Sequence, residues 1–493
     1  MRSSETPAVE PAETRRERLI VPRVSNPTEL LAATLRQTRE DLNLPESFPP
    51  AVEAEAKEAV DAVELPADDE TGIPFVTIDP EGATDLDQAL HLERIVRGPQ
   101  EPQGYRVRYA IADVPAFVAP GGAIDTEARE RGQTLYAPDG RIPLHPTVIS
   151  EHAASLLEGQ LRGAFVWTFE LDADANVTST TLARARVRSR HQLSYTEVQG
   201  QLDVGTASES LLLLREVGMK RADLERERGG ASLNRPDEEV EFRGGRYELV
   251  RRSPLPVEEW NAQLSLMTGM AAAKAMLDGG VGILRTMPAP FDDTLEHFRT
   301  QVGALGCPWP REQPYGEYLR GLDRGKAAGL AAIHAAASLF RGAGYTAFDG
   351  ELPENTTQAA VAAPYAHATA PLRRLVDRFV LVTCEALLNG RPVPQWVRDA
   401  LPTLPKIMGR SDGVASRLEH ASVDAIEAAL LSDRVGDVFD AVVISAKESG
   451  GGVIQLTDPV VTANIEGAVT AGESVRATLV TADIATGTTL FRA

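Results

Sequence analysis

Residues 77–90 read Thr77-Ile78-Asp79-Pro80-Glu81-Gly82-Ala83-Thr84-Asp85-Leu86-Asp87-Gln88-Ala89-Leu90. An apolar run at 75–78 delivers Asp79 at its end, and Pro80 and Gly82 turn the chain back. Asp85 and Asp87 stand two apart, so in extended chain both project to one face. Three carboxylates gathered in this way repel one another unless cations lie between them. Hard oxygen ligands with open positions suit Mg²⁺ or Mn²⁺ bridged to phosphate. The plain alternative is an Asp-rich turn with Asp85 as a cap and all three carboxylates solvated. A calcium loop of EF-hand type fits worse, because the spacing and the terminal Glu are wrong.

Outward from this stretch the pattern is one of strands. FVTID, RVRYAIADV, AFVWTFEL and TTLARARVRSR are short, β-branched or alternating runs broken by Gly, Pro, Asp and Asn. From about residue 196 to 401 helical spacing dominates, with helices expected at 208–226, 257–277, 294–305, 324–340 and 372–388. A further helix is expected from about 414 to 432. After Gly436 alternating runs return with Gly-rich turns, which predicts a small β-barrel of the OB type. Residues 1–72 are Pro-, Ala- and Glu-rich, with helical spacing of Leu30, Leu31, Leu35 and Leu42, and 65–72 reads as a linker. The expected organisation is α+β: a partly helical extension at 1–72, a large domain at 73–432 and a barrel at 436–493.

The chain is 493 residues long and 43% apolar, enough to bury a large core. Its 71 acidic residues against 50 basic ones give a net charge of −21, which disfavours coating DNA or anionic membranes through the average field. An enzyme acting on nucleic acid needs a basic lining only where phosphates run, so this class stays open. No apolar run approaches the ~20 residues of a membrane helix. Two cysteines, Cys307 and Cys384, cannot make a disulfide framework, and a reducing cytoplasm is expected. Arg184, Arg186, Arg188 and Arg190 fall on one face of a strand, either a phosphate rail or a charged sheet edge.

The 77–90 stretch resembles the RNB catalytic domain of the ribonuclease II / ribonuclease R family. So do later segments, in order. They are Ala110-Ile111-Ala112-Asp113-Val114, then Arg131-Gly132-Gln133-Thr134-Leu135-Tyr136 with Ile142-Pro143-Leu144-His145-Pro146, then Leu193-Ser194-Tyr195-Thr196-Glu197-Val198. Tyr365-Ala366-His367-Ala368-Thr369-Ala370-Pro371-Leu372-Arg373-Arg374 is similar to the family's Y-x-H-x-T-S-P-I-R-R signature. The resemblance implies a mixed sheet with surrounding helices, in a short form that lacks the N-terminal cold-shock pair and ends in a reduced S1 module. It implies a metal-dependent hydrolytic 3′→5′ exoribonuclease that degrades single-stranded RNA to nucleoside 5′-monophosphates. Mg²⁺ is the expected cofactor (Mn²⁺ possible), with no organic cofactor, no membrane partner and a monomeric state.

Carried over residue by residue, Asp79, Asp85 and Asp87 match metal-binding aspartates, and Gln88 stands where the family has a fourth. Asp87 would be the catalytic aspartate. Arg373 would neutralise the scissile phosphate with a planar fork that Lys lacks, and Arg374 would join it. Tyr136 matches the aromatic residue that stacks on the 3′-terminal base. Glu419 aligns with a glutamate near the 3′ end, and Gln263 and Arg285 with positions beside the RNA channel. A chain whose chemistry has decayed through Gln88 into RNA binding alone is the alternative. The barrel's only aromatics, Phe439 and Phe491, predict a weak grip on single strands.

Overall fold

The computed structural model describes residues 16–20, 27–95, 104–231, 237–243, 246–252, 254–324, 326–447 and 449–493. Residues 1–15 and 21–26 of the expected extension lie outside these. The centre is a mixed sheet in which Phe75–Asp79 lies between Val177–Ser194 and Gln88–Ile95, followed by Gly104–Ala112 and Leu161–Leu171. The long Val177–Ser194 strand closes this sheet on itself. Its first part pairs antiparallel with Leu161–Leu171, and its end runs parallel to Phe75–Asp79, with Asp79 opposite Ser194. Alternation along these strands fills two cores, one on each face. Trp167, Tyr109 and Phe169 lie in one, and Phe75, Leu86 and Val187 in the other.

The stretch expected to be a linker does more than connect. Asp68–Asp69 adds a short parallel strand beside Ala185 and Arg186. The extension is not a separate module either. Helix Pro50–Ala62 buries Val52 and Ala56 in the second core, and Glu55 accepts a hydrogen bond from the Ala123 amide at 2.5 Å. Helix Pro27–Asp41 buries Leu31 and Leu35 against Ala425, Ile426 and Ile484.

Helices Glu209–Glu227, Pro256–Gly279, Asp292–Ala304 and Leu375–Leu388 form where the periodicity placed them. The helix expected from about 414 begins at Leu404 instead and runs to Leu431. Gly409 and Gly413 cost about 1 kcal/mol each in a helix, but burial of Leu404, Met408 and Ser411 along one face outweighs them. The helical middle also holds strands that periodicity did not announce. Val281–Thr286 pairs with Gly344–Asp349, and Asp237–Arg243 pairs with Arg246–Arg252, which also pairs with Arg16–Ile20.

From Val438 the chain forms a closed five-stranded barrel. Phe439 and Phe491 meet edge to face at 5.6 Å inside it, 3% and 0% exposed, so neither is available to stack on a base. Phe491→Ala should therefore destabilise the barrel by about 3–5 kcal/mol. Urea melts monitored within this domain should show an earlier transition; an unshifted midpoint would mean the barrel is not packed around this ring.

Candidate active site

Two segments far apart in sequence are sewn together at Asp87. Its carboxylate Oδ1 accepts the Leu372 amide at 2.8 Å across 285 positions, and its carbonyl accepts the Ala112 amide at 2.9 Å. The loop before it is anchored by Leu86, which is fully buried and whose amide donates to Ser155 Oγ at 2.9 Å. Gly82, at φ +82°, makes the turn between Asp79 and this loop. On the other side, Asp377 Oδ1 accepts the amides of Thr369 and Ala370 at 2.8 and 2.7 Å, fixing the turn that carries Arg373. Arg373 Nε thereby lies 3.7 Å from Asp87 Oδ2. Burial pushes the Asp87 carboxyl well above its ordinary range, with Arg373 and the Leu372 amide pulling the other way.

Asp79 belongs to the same electrostatic unit. Burial first, and then the charge of Asp85, push its carboxyl up to about 7, opposed by Arg373. Its Oδ2 is buried with no hydrogen-bond partner. A buried orphan oxygen beside a second carboxylate is the donor chemistry that a hard cation satisfies. Yet the oxygens do not converge as expected. Among the described residues no three His, Cys, Asp or Glu side chains are arranged to hold one ion. Asp85 turns to Arg141 at 2.7 Å, and Arg141 also contacts Glu151 at 2.8 Å and Thr84 at 2.8 Å. Asp85 is thus held by a cationic side chain that the sequence reading missed.

Gln88 does not fit the metal set at all. Its Nε2 donates to the Thr369 carbonyl at 2.5 Å, and its Oε1 accepts from the Tyr109 hydroxyl at 2.9 Å. Tyr109 is itself tied to Ser265 at 2.9 Å. The amide serves as a brace between sheet and loop, and both its ends are engaged. The carboxylates available to a divalent ion are Asp79, Asp85 and Asp87, which are not gathered about one point here.

Beside these residues opens a cleft of about 460 Å³ lined by Tyr136, Arg373, His367, Tyr345, Asp412 and Glu419 among others. Tyr136 and Arg141 face each other across the Leu135–Ala137/Gly140–Ile142 hairpin, so one small ribbon carries both the aromatic ring and the partner of Asp85. The Tyr136 ring is 56% exposed, and its hydroxyl feels Asp85, Arg373, Asp87 and Arg141. Asp412, Ala415 and Glu419 reach the cleft from one face of the Leu404–Leu431 helix at helical spacing. Asp412 is held by Arg285 at 3.0 Å, and Arg285 stacks over Tyr345 at 4.6 Å. Tyr345 in turn hydrogen-bonds His367 Nδ1 at 2.8 Å. Sequence reading quoted His367 without a role and did not single out Tyr345 or Asp412. Helical spacing back from Glu419 could have found Asp412.

Comparison with known proteins decides the family. Residues 68–390 match the RNB domain, and residues 437–493 match the RNase II-type exonuclease C-terminal S1 domain. The chain belongs to the RNB family. It is 26% identical over 368 residues to the exosome complex exonuclease RRP44 homolog A of Arabidopsis thaliana, covering 70% of this chain and 38% of that one. It is 31% identical over 210 residues to exoribonuclease 2 of Vibrio parahaemolyticus, covering 41% of this chain and 30% of that one. The chain therefore spans less than half the length of these curated relatives. In fold it resembles the RNase R of Mycoplasma genitalium in complex with ribose-methylated single-stranded RNA. There the TM-score is 0.81 at 17% identity, over 94% of this chain and 78% of that one. It also resembles a pseudonuclease of yeast, with a TM-score of 0.66 at 14% identity, over 91% of this chain and 57% of that one.

Within this RNB domain several residues expected at the RNA are engaged with other parts of the chain or lie away from the cleft. Gln263 is 3% exposed and donates to Glu225 at 2.6 Å, inside the helical layer. Arg374 lines the cleft, but its guanidinium is bidentate to Asp377 at 2.9 and 3.0 Å and so stabilises the turn. That pairing also answers the clash of a basic pair with a helix N-terminus. Two arginines of the stripe are ion-paired and a third is tied to the backbone. Arg184 pairs with Asp113 at 2.5 Å, Arg186 with Asp69 at 3.2 Å, and Arg190 donates to the Thr71 carbonyl at 2.6 Å. Arg188 keeps a buried Nε without a partner. None of the stripe borders the cleft.

Proposed function

We propose that this chain is a hydrolytic 3′→5′ exoribonuclease that draws the 3′ end of single-stranded RNA into the Tyr136–Glu419 cleft and releases nucleoside 5′-monophosphates. The observation that carries this reading is the meeting of Arg373 and Tyr136 at one cleft, with Asp87 3.7 Å from Arg373. The exposed Tyr136 ring offers a π-face to any terminal base, which suits cleavage without sequence preference. Arg373, its side chain 45% exposed, has a fork free to grip the oxygens of the last phosphate. Glu419, exposed at the rim, is placed to accept hydrogen bonds from the terminal ribose hydroxyls. A divalent ion, Mg²⁺ or Mn²⁺, held by Asp79, Asp85 and Asp87 would supply an activated water and charge stabilisation at the phosphate. Buried Cys384 and half-buried Cys307, both free thiols, support a reducing cytoplasm.

Tyr136→Ala should weaken binding of single-stranded RNA by about 5- to 150-fold, the loss of one stacked base. Because the ring is exposed, the fold should be unaffected. Fluorescence anisotropy with a labelled oligoribonucleotide measures this, and unchanged affinity would move the terminal base elsewhere.

One observation favours a second reading, a catalytically weakened RNA-binding protein on this scaffold. Gln88 replaces a carboxylate, and both ends of its amide are already engaged. Incubation of 5′-labelled RNA with Mg²⁺ or Mn²⁺ separates the two. Release of mononucleotides supports the exoribonuclease, and tight binding without cleavage at any metal concentration supports the weakened form.

A further inference from the structure

A second cavity, of about 450 Å³, opens elsewhere in the RNB domain and shares no lining residue with the Asp87 cleft. It lies between helices Glu209–Glu227 and Pro256–Gly279, the start of the Val177–Ser194 strand and the end of Leu375–Leu388. Two arginines reach it, Arg221 and Arg228. Arg221 is only 5% exposed, and its one hydrogen bond among the described residues runs from Nη1 to the Ala175 carbonyl at 3.1 Å. Its Nε is buried without a partner, as is Nη2 of Arg228, whose Nε reaches the Val361 carbonyl at 3.4 Å.

Neither arginine is in an ion pair among the described residues, although the charge of Glu225 acts on both. Glu225, the acid nearest in charge to both, is engaged at each oxygen. Oε2 accepts from Gln263 at 2.6 Å, and Oε1 lies 3.4 Å from Arg320. Lys274 and Asp278 at the rim neutralise each other at 2.8 Å. Burial, and then the charge of Arg228, pull Arg221 down to about 10 from its ordinary range, and burial lowers Arg228 as well. Two guanidinium groups that line one cavity without an ion-pair partner are stabilised when an anion binds there.

The remaining walls state what else the ligand carries. Met267, Met270, Ala275 and Leu388 supply apolar lining to the same cavity. Thioethers adapt to a flat ring and make favourable contacts with it. The volume falls in the range of small-molecule sites. We propose that this cavity is a binding site for a small phosphate monoester with a flat apolar body, of the size of a mononucleotide. The phosphate lies in the Arg221–Arg228 forks and the ring against Met267 and Met270. This site goes beyond the nuclease reading and does not depend on it.

The test is isothermal titration calorimetry of the full chain carrying Tyr136→Ala, which weakens the nuclease cleft. Adenosine 5′-monophosphate, adenosine and inorganic phosphate serve as separate probes. The monophosphate should bind at one site with submillimolar affinity, at least tenfold tighter than either other probe. Adding Arg228→Gln should weaken it tenfold or more, and adding Met270→Trp, which fills the apolar side, should abolish it. Absence of binding overturns the proposal. Equal affinity for phosphate and monophosphate removes the flat body, and equal affinity for adenosine removes the anion; either result overturns it. Binding that survives both added variants places the ligand elsewhere and does the same.

Discussion

Asp87→Asn is expected to lower mononucleotide release from 5′-labelled RNA by about three orders of magnitude, while RNA binding and folding are kept. The substitution is nearly isosteric. An Asn oxygen can still accept the Leu372 amide that now bonds Oδ1 at 2.8 Å. What disappears is the negative charge facing Arg373 at 3.7 Å and with it one of the carboxylates available to a metal. Because Asp87 is 4% exposed and burial disfavours its charged form, a neutral amide imposes no stability penalty in the metal-free protein. The variant should therefore unfold at the same or a higher temperature than the parent without metal. Any stabilisation that Mg²⁺ gives the parent should shrink. Cleavage within tenfold of the parent would show that Asp87 is not the charge the reaction needs, and the exoribonuclease reading would fall with it.

How far the sequence led depends on whether the partner of a residue was near it in the chain. The 77–90 stretch was legible because strand, turn and spacing are local, and Tyr136, Arg373 and Glu419 do meet at one cleft, where Arg373 lies 3.7 Å from Asp87. The alternation of the arginine stripe was legible too. Its ion pairing was not, because Asp113 and Asp69 lie 71 and 117 positions from the arginines they pair with. Arg374 is different: its partner Asp377 stands three residues on, and that spacing was a usable signal for an internal ion pair. Gln88 and Gln263 were misplaced for one shared reason. An amide in a motif position looks like a diluted carboxylate, whereas here each is a donor set against a buried acceptor, the Thr369 carbonyl and Glu225. Arg141 was passed over because nothing in the sequence places it across from Tyr136 except the two-residue turn of a hairpin too short to read as one.

Arg378→Met should produce a large loss of stability, about 3–5 kcal/mol. Arg378 and Asp125 are 1% and 2% exposed and meet at 2.6 Å, and Arg378 also donates to the Val118 carbonyl at 3.0 Å. Its guanidinium lies 5.3 and 5.0 Å from the Phe379 and Trp396 rings. Methionine keeps much of the apolar stem but leaves Asp125 buried with only Arg129 at 3.2 Å and the Gly121 amide at 2.9 Å. Removing both partners, as in Arg378→Met with Asp125→Leu, should recover most of the loss, because the orphaned charge rather than the lost attraction dominates. The pH dependence separates this from simple repacking. Burial alone would raise the Asp125 carboxyl, yet Arg378 and the Gly121 amide hold it below its ordinary range. A depressed folded pKa gives stability that is complete above the unfolded value, near pH 4, and is lost as the pH falls through the folded one. In Arg378→Met burial raises the Asp125 carboxyl, so the gap in urea midpoint between parent and variant should narrow steadily as the solution is made more acidic. A gap that stays unchanged into acid would mean that lost packing around Phe379 and Trp396, not the charge on Asp125, sets the penalty.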